Sequence, residues 1–581
     1  MNRFNFTVLK RFWSLAKLYW FGDEKKGALA LLGLLFVLLV AYTNLSVLLN
    51  QQQGDIISSL SAKNADRFWS TIQTFFIILV IYVPLFAGFR YVQGILGNYW
   101  RRWLTYYFLN RYFSNRAFYE LGNFNSDIDN PDQSIAEDIK GFTVDSLSFL
   151  LALVSSVFQV IAFSVALWKI SQTLVYILVL YSAFGTLIVV GIYGRKLVKI
   201  NFNQIKKEAN FRFGLVRIRE NSESIAFYQG EEQENQTLRR KFGEAFRNYN
   251  LLVLWEQIYL GLFTHAYDFF PYVLPAIIIA PQVLSGNLEV GKVTEAAGAF
   301  AVIFRSLNFI VERFQSLTAF AASVDRLYAL GDYIDEPKVV SDKSISNRPT
   351  ITTILNRPTI TTIQQDKLAL KKVTLQTPNY QRILVKDLSV DLASGKGLLI
   401  MGASGCGKSS LLRAIAGLWN SGTGAIYRPN LSQIFFLPQK PYMILGSLRS
   451  QLAYPNDDLN ISESELSDAL NRVNLPDLLE RSGGLDVEKD WDEILSLGEQ
   501  QRLAFARILI NKPRYVILDE ATSALDIQNE ASLYQHLIER QITFVSVGHR
   551  PTLLNYHDFV LEIESNQSWK LNPASSFASQ N

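Results

Sequence analysis

The sequence predicts an all-α domain of six membrane-spanning helices, followed by an α/β domain. Long apolar runs recur through the first half of the chain, each long enough for the ~20 residues that a bilayer requires. The second half carries the pattern G-x-x-x-x-G-K-[ST] at 402–409, between a strand-like run at 398–401 and a helix-like run at 410–416. Because 581 residues are too many for one hydrophobic core, the two patterns indicate separate domains.

Composition also favours a membrane protein. Hydrophobic residues make up 49% of the chain and charged residues 19%, which is below the ~25% typical of soluble proteins. The net charge of +4 gives no indication of a nucleic-acid partner. Cys406 is the one cysteine in the sequence, so a disulfide within the chain and a cysteine-based metal cluster are excluded.

Residues 1–26 mix aromatic and basic side chains, which is typical of an amphipathic helix at the cytoplasmic membrane surface. An ordinary juxtamembrane segment is the alternative. The first apolar run continues to about Leu49, beyond the roughly 7–15 residues of a signal peptide, so we expect a retained membrane helix. The absence of a long targeting segment before it favours a bacterial plasma (inner) membrane.

Basic residues orient the predicted membrane domain, which we place at 27–335. Lys and Arg concentrate in the stretches 99–142 and 195–251, so both stretches and both chain ends are expected in the cytoplasm. Helical periodicity in both stretches predicts that membrane helices continue into the cytoplasm as long arms. The six predicted spans lie near 27–50, 68–97, 143–168, 172–194, 252–285 and 293–323.

Two short segments, 127–133 and 223–231, lie near the tips of these arms. Each is interpreted either as a coupling helix that docks on the second domain or as a plain helical hairpin turn. Ionisable side chains within the spans are costly and therefore informative. Three interpretations of these residues stay open: they line a polar cavity, they form structural ion pairs inside the bundle, or they lie beyond the bilayer. The candidates are Glu256, His265, Asp268, Arg305 and Glu312.

A linker is predicted at 336–365, between the two domains. The octapeptide at 347–354 recurs with the same sequence at 356–363. This is interpreted as a local duplication inside a tolerant linker, without a function of its own. The second domain is therefore placed at 366–581.

The pattern at 402–409 predicts a nucleotide site. Its glycines let the backbone fold around phosphates, and the following helix N-terminus adds partial positive charge. Lys408 is expected on the β- and γ-phosphates and Ser409 on Mg²⁺. A chance Gly-rich turn is the alternative, which the flanking strand and helix patterns disfavour. The predicted nucleotide contacts are Gly402, Ala403, Ser404, Gly405, Cys406, Gly407, Lys408, Ser409 and Ser410.

Hydrolysis requires a metal ion and an oriented water in addition to bound phosphates. A buried-strand pattern ends in Asp519 and Glu520; Asp519 is expected to hold Mg²⁺, and Glu520 to activate the attacking water. Ser496 and Gly498 precede a helix and suit a phosphate contact. His549 follows a further strand-like run and is expected to reach the γ-phosphate.

Taken in order, these motifs resemble the ATPase domain of ABC transporters over about residues 366–562. The resemblance implies that ATP lies between the phosphate loop of one chain and the signature segment of another. With one copy of each, this chain is expected to be a homodimeric half-transporter. The implied motifs are Walker A at 402–409, the Q-loop at Gln439 (catalysis and Mg²⁺), the signature at 495–499, Walker B at 515–520, the D-loop at 523–526 with Asp526, and the switch histidine His549.

Two departures from the family pattern concern the nucleotide site. The family signature is usually L-S-G-G-Q, whereas Leu497 and Glu499 differ here; Glu499 is nevertheless assigned to the site. The family usually places an adenine-stacking aromatic residue where this chain has 377–378. Tyr380 is the substitute we assign, and Tyr454 is the alternative.

The membrane half resembles subfamily D, on the residues 100–103, 130–133 and 223–228 together with the segment 495–502. That group includes peroxisomal fatty acyl-CoA transporters. Its bacterial relatives join a membrane domain like SbmA/BacA to an ATPase, and some import cobalamin and peptides. The resemblance therefore implies the exporter-type (type IV) ABC fold for the membrane domain.

The expected function is ATP-driven transport, with the bilayer and a solute as partners. Acidic and amide groups such as Glu256, Asp268 and Glu312 suit polar or cationic cargo better than acyl chains. The hypothesis is uptake of a large hydrophilic solute such as cobalamin or peptides. Fatty acyl-CoA transport and lipid or drug export are the alternatives. A nucleotide-gated regulator without transport is a different class, which the presence of Glu520 and His549 disfavours.

Overall fold

The computed structural model describes residues 6–124, 131–307, 314–335, 358–456 and 461–578. The chain divides into two compact units, 1–338 and 339–581. The described residues of the first unit form helices joined by short turns, and the second unit contains sheets flanked by helices.

Eleven helices are described in the first unit, several far longer than a bilayer requires. Helix α3 alone has 49 residues. Their bounds are α1 Phe6–Trp20, α2 Lys25–Ser61, α3 Ala65–Phe113, α4 Ala117–Phe124, α5 Pro131–Ile170, α6 Gln172–Ile188, α7 Arg195–Glu220, α8 Ser222–Tyr228, α9 Glu231–Leu284, α10 Gly291–Leu307 and α11 Phe314–Asp335.

Four described helices are long and apolar enough to cross a membrane: α2, α3, α5 and α9. They contain the first, second, third and fifth predicted spans. The fourth predicted span falls on α6, a shorter apolar helix that begins directly after extended Ser171. The sixth falls on α10 and α11, and its residues 308–313, including Asn308 and Glu312, lie outside the described residues.

Within the described ranges, three π-helical segments interrupt the long helices: Ser134–Asp138 in α5, Val189–Gly194 between α6 and α7, and Leu254–Leu260 in α9. Each lies close to the point where an apolar run meets a charged arm in the sequence. The helices therefore continue from the spans into the arms, as predicted, through a local change of hydrogen bonding.

Polar contacts join the helices inside the first unit. Tyr42 on α2 hydrogen-bonds Ser155 on α5 at 2.9 Å, and the Gln159 amide donates to Ser155 Oγ at 3.4 Å. Ser306 on α10 donates to Gln159 Oε1 at 3.0 Å. A line of hydrogen bonds thus crosses from α2 through α5 to α10, among side chains that are otherwise largely apolar.

Two main sheets form the described part of the second unit. A four-stranded sheet has the order β1-β5-β2-β3, and a six-stranded sheet has the order β12-β11-β4-β10-β9-β6. The strands are β1 Thr361–Gln364, β2 Leu368–Gln376, β3 Ile383–Leu392, β4 Gly397–Gly402, β5 Gly422–Arg428, β6 Ile434–Leu437, β7 Gly446–Ser447, β8 Glu488–Lys489, β9 Tyr515–Asp519, β10 Thr543–Val547, β11 Phe559–Ile563 and β12 Trp569–Pro573.

Parallel pairing gathers the predicted site at one edge of the larger sheet. Strand β10 pairs in parallel with both β4 and β9, and β9 pairs in parallel with β6. The segments that follow these four strands carry the phosphate loop, Glu520, His549 and Gln439. Ligands bind outside the carboxyl ends of parallel strands in open α/β sheets, which is where these segments meet.

Strand β1 belongs to the four-stranded sheet, although its residues fall within the linker predicted between the two domains. Residues 361–364 lie inside the predicted linker, yet they pair in parallel with β5. The second octapeptide copy supplies most of this strand, because its Thr and Ile residues favour extended backbone. The first copy, 347–354, lies outside the described residues.

Helices of the second unit cover both faces of the larger sheet or carry the loops of the site. The longest is α17, whose first residues follow Ser496. The bounds are α12 Lys408–Ile415, α13 Leu448–Ala453, α14 Glu463–Arg472, α15 Leu478–Ser482, α16 Trp491–Ile494, α17 Leu497–Asn511, α18 Ile527–Glu539 and α19 Ser575–Ala578.

Candidate ATP site

The loop between β4 and α12 has the backbone that its glycines permit. Gly402 and Gly407 have φ values of +146° and +108°, which side chains rarely adopt. A Cβ at Gly402 would lie 2.3 Å from the Ile563 carbonyl oxygen, and one at Gly407 would lie 2.9 Å from Leu384 Cβ. The loop is therefore closely packed against its own domain, with α12 beginning at Lys408.

Lys408 and Ser409 begin α12 and point toward different partners. The Lys408 ammonium donates to the carbonyl oxygens of Gly402 and Ala403 at 2.9 and 3.0 Å, which keeps it over the loop. Ser409 Oγ donates to Asp519 Oδ1 at 3.0 Å. Burial raises the pKa of Asp519, and the Ser409 hydrogen bond opposes that rise. This brings a hydroxyl and a carboxylate oxygen together beside the phosphate loop.

Glu520 lies between two other predicted site residues. Gln439 Nε2 donates to Glu520 Oε2 at 3.0 Å, and His549 Nε2 lies 3.5 Å from Glu520 Oε1. Glu520 has a φ of +50°, and its N–H donates to the Val547 carbonyl at 3.0 Å. The backbone beyond β9 thus turns sharply and leaves the carboxylate partly exposed between an amide and an imidazole.

The segment at 495–499 forms a capped helix start. Ser496 Oγ accepts from the Glu499 N–H at 3.4 Å, and Glu499 Oε2 accepts from the Ser496 N–H at 2.9 Å. Such a capping box satisfies the first free N–H groups of a helix. Arg481 pairs with the other Glu499 oxygen. Glu499 therefore has a local structural role that its motif position did not reveal.

Sequence reasoning missed Arg550 and Glu530, which hold the turn after Glu520. Arg550 donates to the carbonyls of Leu525 and Ser523 at 2.6 and 2.8 Å. Glu530 is fully buried and accepts from Thr522 Oγ1 at 3.0 Å. Arg550 directly follows His549 in the sequence, but its contacts join residues 25 and 27 positions apart, which local patterns do not show.

Comparison with known proteins assigns both halves of the chain. The family model for the ABC transporter transmembrane region 2 matches residues 15–284, and the ABC transporter model matches residues 385–523. An ABC transporter ATP-binding protein of Synechocystis sp. is 46% identical across 94% of this chain and 81% of its own length. The chain belongs to the ABC transporter family.

Other relatives place this ABC transporter in the D subfamily. ABC transporter D family member 2, chloroplastic, of Arabidopsis thaliana is 38% identical across 96% of this chain and 86% of its own length. The lysosomal cobalamin transporter of Mus musculus is 30% identical across 98% of this chain and 97% of its own length. The chain is thus a membrane-embedded half-transporter whose ATPase domain binds ATP and couples its hydrolysis to transport.

The two tyrosines considered for adenine lie in different settings. Tyr380 lies in the turn between β2 and β3, with a φ of +60°, four residues before Leu384, which packs under Gly407. Tyr454 is instead covered by the Arg507 guanidinium, 5.3 Å from the ring centroid, and contacts Tyr442. The Tyr380 turn therefore leads directly into the strand that packs against the phosphate loop.

The ionisable candidates of the transporter's membrane half are only partly described. His265 and Asp268 lie on α9, and Arg305 lies near the end of α10; all three are exposed within the single chain. Glu256 falls in the π-helical segment of α9. Glu312 lies outside the described residues.

Proposed function

We propose that this chain forms a homodimer that uses ATP hydrolysis to import a large hydrophilic solute, such as cobalamin or a peptide. The placement of Glu520 between Gln439 and His549 carries the hydrolysis part of the proposal. In this arrangement the Glu520 carboxylate orients the attacking water. The Gln439 amide and the His549 imidazole, which lie beside it, contact the γ-phosphate that is being transferred. The near full-length similarity to a cobalamin transporter supports the solute class.

The proposed nucleotide contacts follow from the loop geometry. Backbone N–H groups of 402–410 surround the phosphates, and Lys408 leaves its two carbonyl partners to bind the β- and γ-phosphates. Tyr380 stacks on the adenine from the β2–β3 turn. Ser496, Gly498, Glu499 and Asp526 contact the nucleotide that the second copy binds.

Mg²⁺ is the proposed cofactor beside the γ-phosphate. Ser409 Oγ and Asp519 Oδ1 lie 3.0 Å apart, and both are oxygen ligands of the kind that Mg²⁺ prefers. The Gln439 side-chain oxygen is the third candidate. Mg²⁺ held there by Ser409 and Asp519 would supply charge neutralisation on the phosphate oxygens.

The polar line from Tyr42 through Ser155 and Gln159 to Ser306 supports a hydrophilic solute. Polar side chains inside a membrane bundle hydrogen-bond across helices, and those that face a cavity mark solute pathways. Its hydroxyl and amide groups match the amides of cobalamin or a peptide better than an acyl chain. We place the protein in a bacterial plasma membrane, with the ATPase domain in the cytoplasm.

Reconstituted protein tests this proposal directly. Wild type and Glu520→Gln are placed in liposomes with ATP inside, and cobalamin, cationic peptides and acyl-CoA are added outside in turn. We expect cobalamin or peptide to raise the wild-type ATPase rate and to accumulate inside. Glu520→Gln is expected to bind ATP but to hydrolyse it about 10²–10⁴ times more slowly. Glu539→Gln, an exposed change on α18, is the matched control and keeps the wild-type rate.

Each other outcome identifies an alternative. Stimulation by acyl-CoA alone would assign the protein to lipid-derived cargo and overturn the hydrophilic solute. ATP-dependent loss of solute from the ATP-containing lumen to the outside would make it an exporter. Absence of hydrolysis in the wild type, with ATP still bound, would favour a nucleotide-gated regulator.

A further inference from the structure

Gln501 uses its whole side-chain amide in three hydrogen bonds inside the ATPase domain. It lies on α17 and is 1% exposed. Its Nε2 donates to the Gln439 carbonyl oxygen at 2.9 Å and to Ser523 Oγ at 3.2 Å. Its Oε1 accepts from the Ala524 N–H at 3.1 Å. One buried amide thus joins α17 to two loops that are distant in sequence.

Both loops lead to the same carboxylate. The Gln439 side chain donates to Glu520 Oε2, while its own backbone carbonyl is held by Gln501. Ser523 and Ala524 belong to the turn that follows Glu520, and the Ser523 N–H donates to the Glu520 carbonyl at 3.1 Å. Gln501 therefore fixes the distance between the segment that carries Gln439 and the turn that carries Glu520.

We propose that Gln501 is a positioning residue for ATP hydrolysis, which sets the Gln439 amide against Glu520 without contacting the nucleotide. The inference rests on the proposed roles of Glu520 and Gln439. Because α17 begins directly after Ser496, Gln501 also makes the signature segment move together with this pair.

An amide is required because Gln501 both donates and accepts. Nearly every buried hydrogen-bonding group in a folded protein has a partner, and an unmatched one costs roughly 1–3 kcal/mol. A carboxylate in the same place accepts from the Ala524 N–H and from a turned Ser523 hydroxyl. The carboxylate has no proton to donate to the Gln439 carbonyl, so one of its oxygens faces the carbonyl oxygen of Gln439 and the two repel each other. Gln501→Glu therefore breaks the Q-loop contact selectively.

The first measurement is ATPase kinetics of the full-length transporter in lipid. We expect Gln501→Glu to lower kcat about tenfold to a hundredfold, since misplaced catalytic groups cost up to about that factor. The KM for ATP is expected to stay within about twofold, because the phosphate loop is untouched. Gln501→Met removes all three contacts and is expected to lower kcat at least as much.

The pH profile separates positioning from general damage. Burial raises the pKa of an introduced carboxyl group, so Glu at this position gains a proton as the pH falls toward about 6. The protonated carboxyl again donates to the Gln439 carbonyl. We expect the ratio of Gln501→Glu to wild-type kcat to rise severalfold between about pH 8 and about pH 6, while the Gln501→Met ratio stays constant.

Val473→Ala controls for lost stability. Val473 is fully buried directly after α14 and makes no side-chain hydrogen bond, so we expect this change to lower the unfolding temperature and to keep kcat at 25 °C. The inference is overturned if Gln501→Glu keeps the wild-type kcat, or if its kcat ratio does not change with pH. If Gln501→Glu does not fold, a normal kcat in Gln501→Met overturns it. An inactive wild type would instead overturn the proposed function.

Discussion

Glu499 stands where the ABC transporter signature usually has glutamine, and its surroundings keep it charged. Burial raises the pKa of its carboxyl group, but hydrogen bonds from Arg481 and Ser496 outweigh that effect and leave the pKa below its usual value. A negative charge at a proposed phosphate contact repels the nucleotide unless a cation compensates for it. Arg481 is the residue placed to do so.

Arg481→Gln is therefore expected to weaken ATP binding. The uncompensated Glu499 carboxylate repels the phosphates, and we expect the KM for ATP to rise about twofold to fivefold, in line with ~0.5–1 kcal/mol for a partly exposed charge. Adding Glu499→Gln to the same chain removes the charge and should restore the wild-type KM. The KM is measured from the ATPase rate of wild type, Arg481→Gln and the double variant at increasing ATP concentration. A double variant whose KM stays as high as that of Arg481→Gln would contradict this explanation.

His557 makes the ATPase domain sensitive to acid. It is buried against Tyr534 and Phe544, and burial lowers its pKa from 6.5 to about 4. The unfolded chain binds this proton below pH 6.5 and the folded domain only below about 4. The free energy of unfolding contributed by this group is thus complete above pH 6.5 and declines by up to about 3 kcal/mol toward pH 4.

Calorimetry of the full-length transporter in detergent measures this effect. The transition of the ATPase domain should move to lower temperature as the pH falls from about 6.5 to about 4. His557→Phe should flatten that dependence, whereas Val473→Ala should lower the transition by the same amount at every pH. An equally steep dependence in His557→Phe would refute the assignment to His557.

Among the helices, α11 is tied to its neighbours by two charge pairs at adjacent residues. Arg326 donates to both oxygens of Asp138 on α5, at 2.8 and 2.5 Å, and Asp138 is 4% exposed. Asp325 pairs with Arg11 on α1 at 2.6 Å, with both side chains more than a third exposed. The pair with Asp138 is the stronger constraint, because one of its charges is buried.

Arg326→Gln is expected to destabilise the membrane domain by about 1–3 kcal/mol, since it leaves a buried carboxylate unpaired while the half-exposed arginine limits the loss. Adding Asp138→Asn removes that charge and should recover part of the stability. Arg11→Gln is the matched control and should cost less than about 1 kcal/mol. Thermal unfolding in detergent measures the stability of the two single variants and the double variant. Equal losses of stability for Arg326→Gln and Arg11→Gln would contradict the greater strength of the Arg326–Asp138 pair.

The elements differ in how far the sequence revealed them. The phosphate loop and the Asp519–Glu520 pair were predictable because each motif is local and directly follows a strand pattern. Gln501 was not predictable, because its contact with Gln439 joins residues 62 positions apart. The π-helical segments were also missed, since one extra residue in a turn of helix leaves the apolar pattern almost unchanged.

At the scale of the whole molecule, the chain carries one phosphate loop and one signature segment, so each proposed ATP site needs two copies. Lys408→Met damages the loop. Gly498→Asp damages the signature, where even a Cβ would lie 3.1 Å from the Ala524 carbonyl oxygen. Each variant alone should therefore form dimers without an intact site.

Mixing the two variants in one dimer should restore one intact site out of two. We expect purified mixed dimers, isolated with two different affinity tags, to hydrolyse ATP at up to about half the wild-type rate, where the two sites act independently. Each single-variant dimer should be inactive. Mixed dimers as inactive as both parents would contradict a site that is shared between copies and works independently of the other site.

The duplicated octapeptide gives the gene a spare copy of an edge strand. Deleting codons 356–364 would join 347–355 to Gln365 and regenerate β1 with Leu in place of Gln364. Deleting codons 347–355 would leave β1 as it is. An in-frame slip of the repeat during replication is therefore expected to change the length of the chain while preserving the sheet, so this locus can vary in length under weak selection.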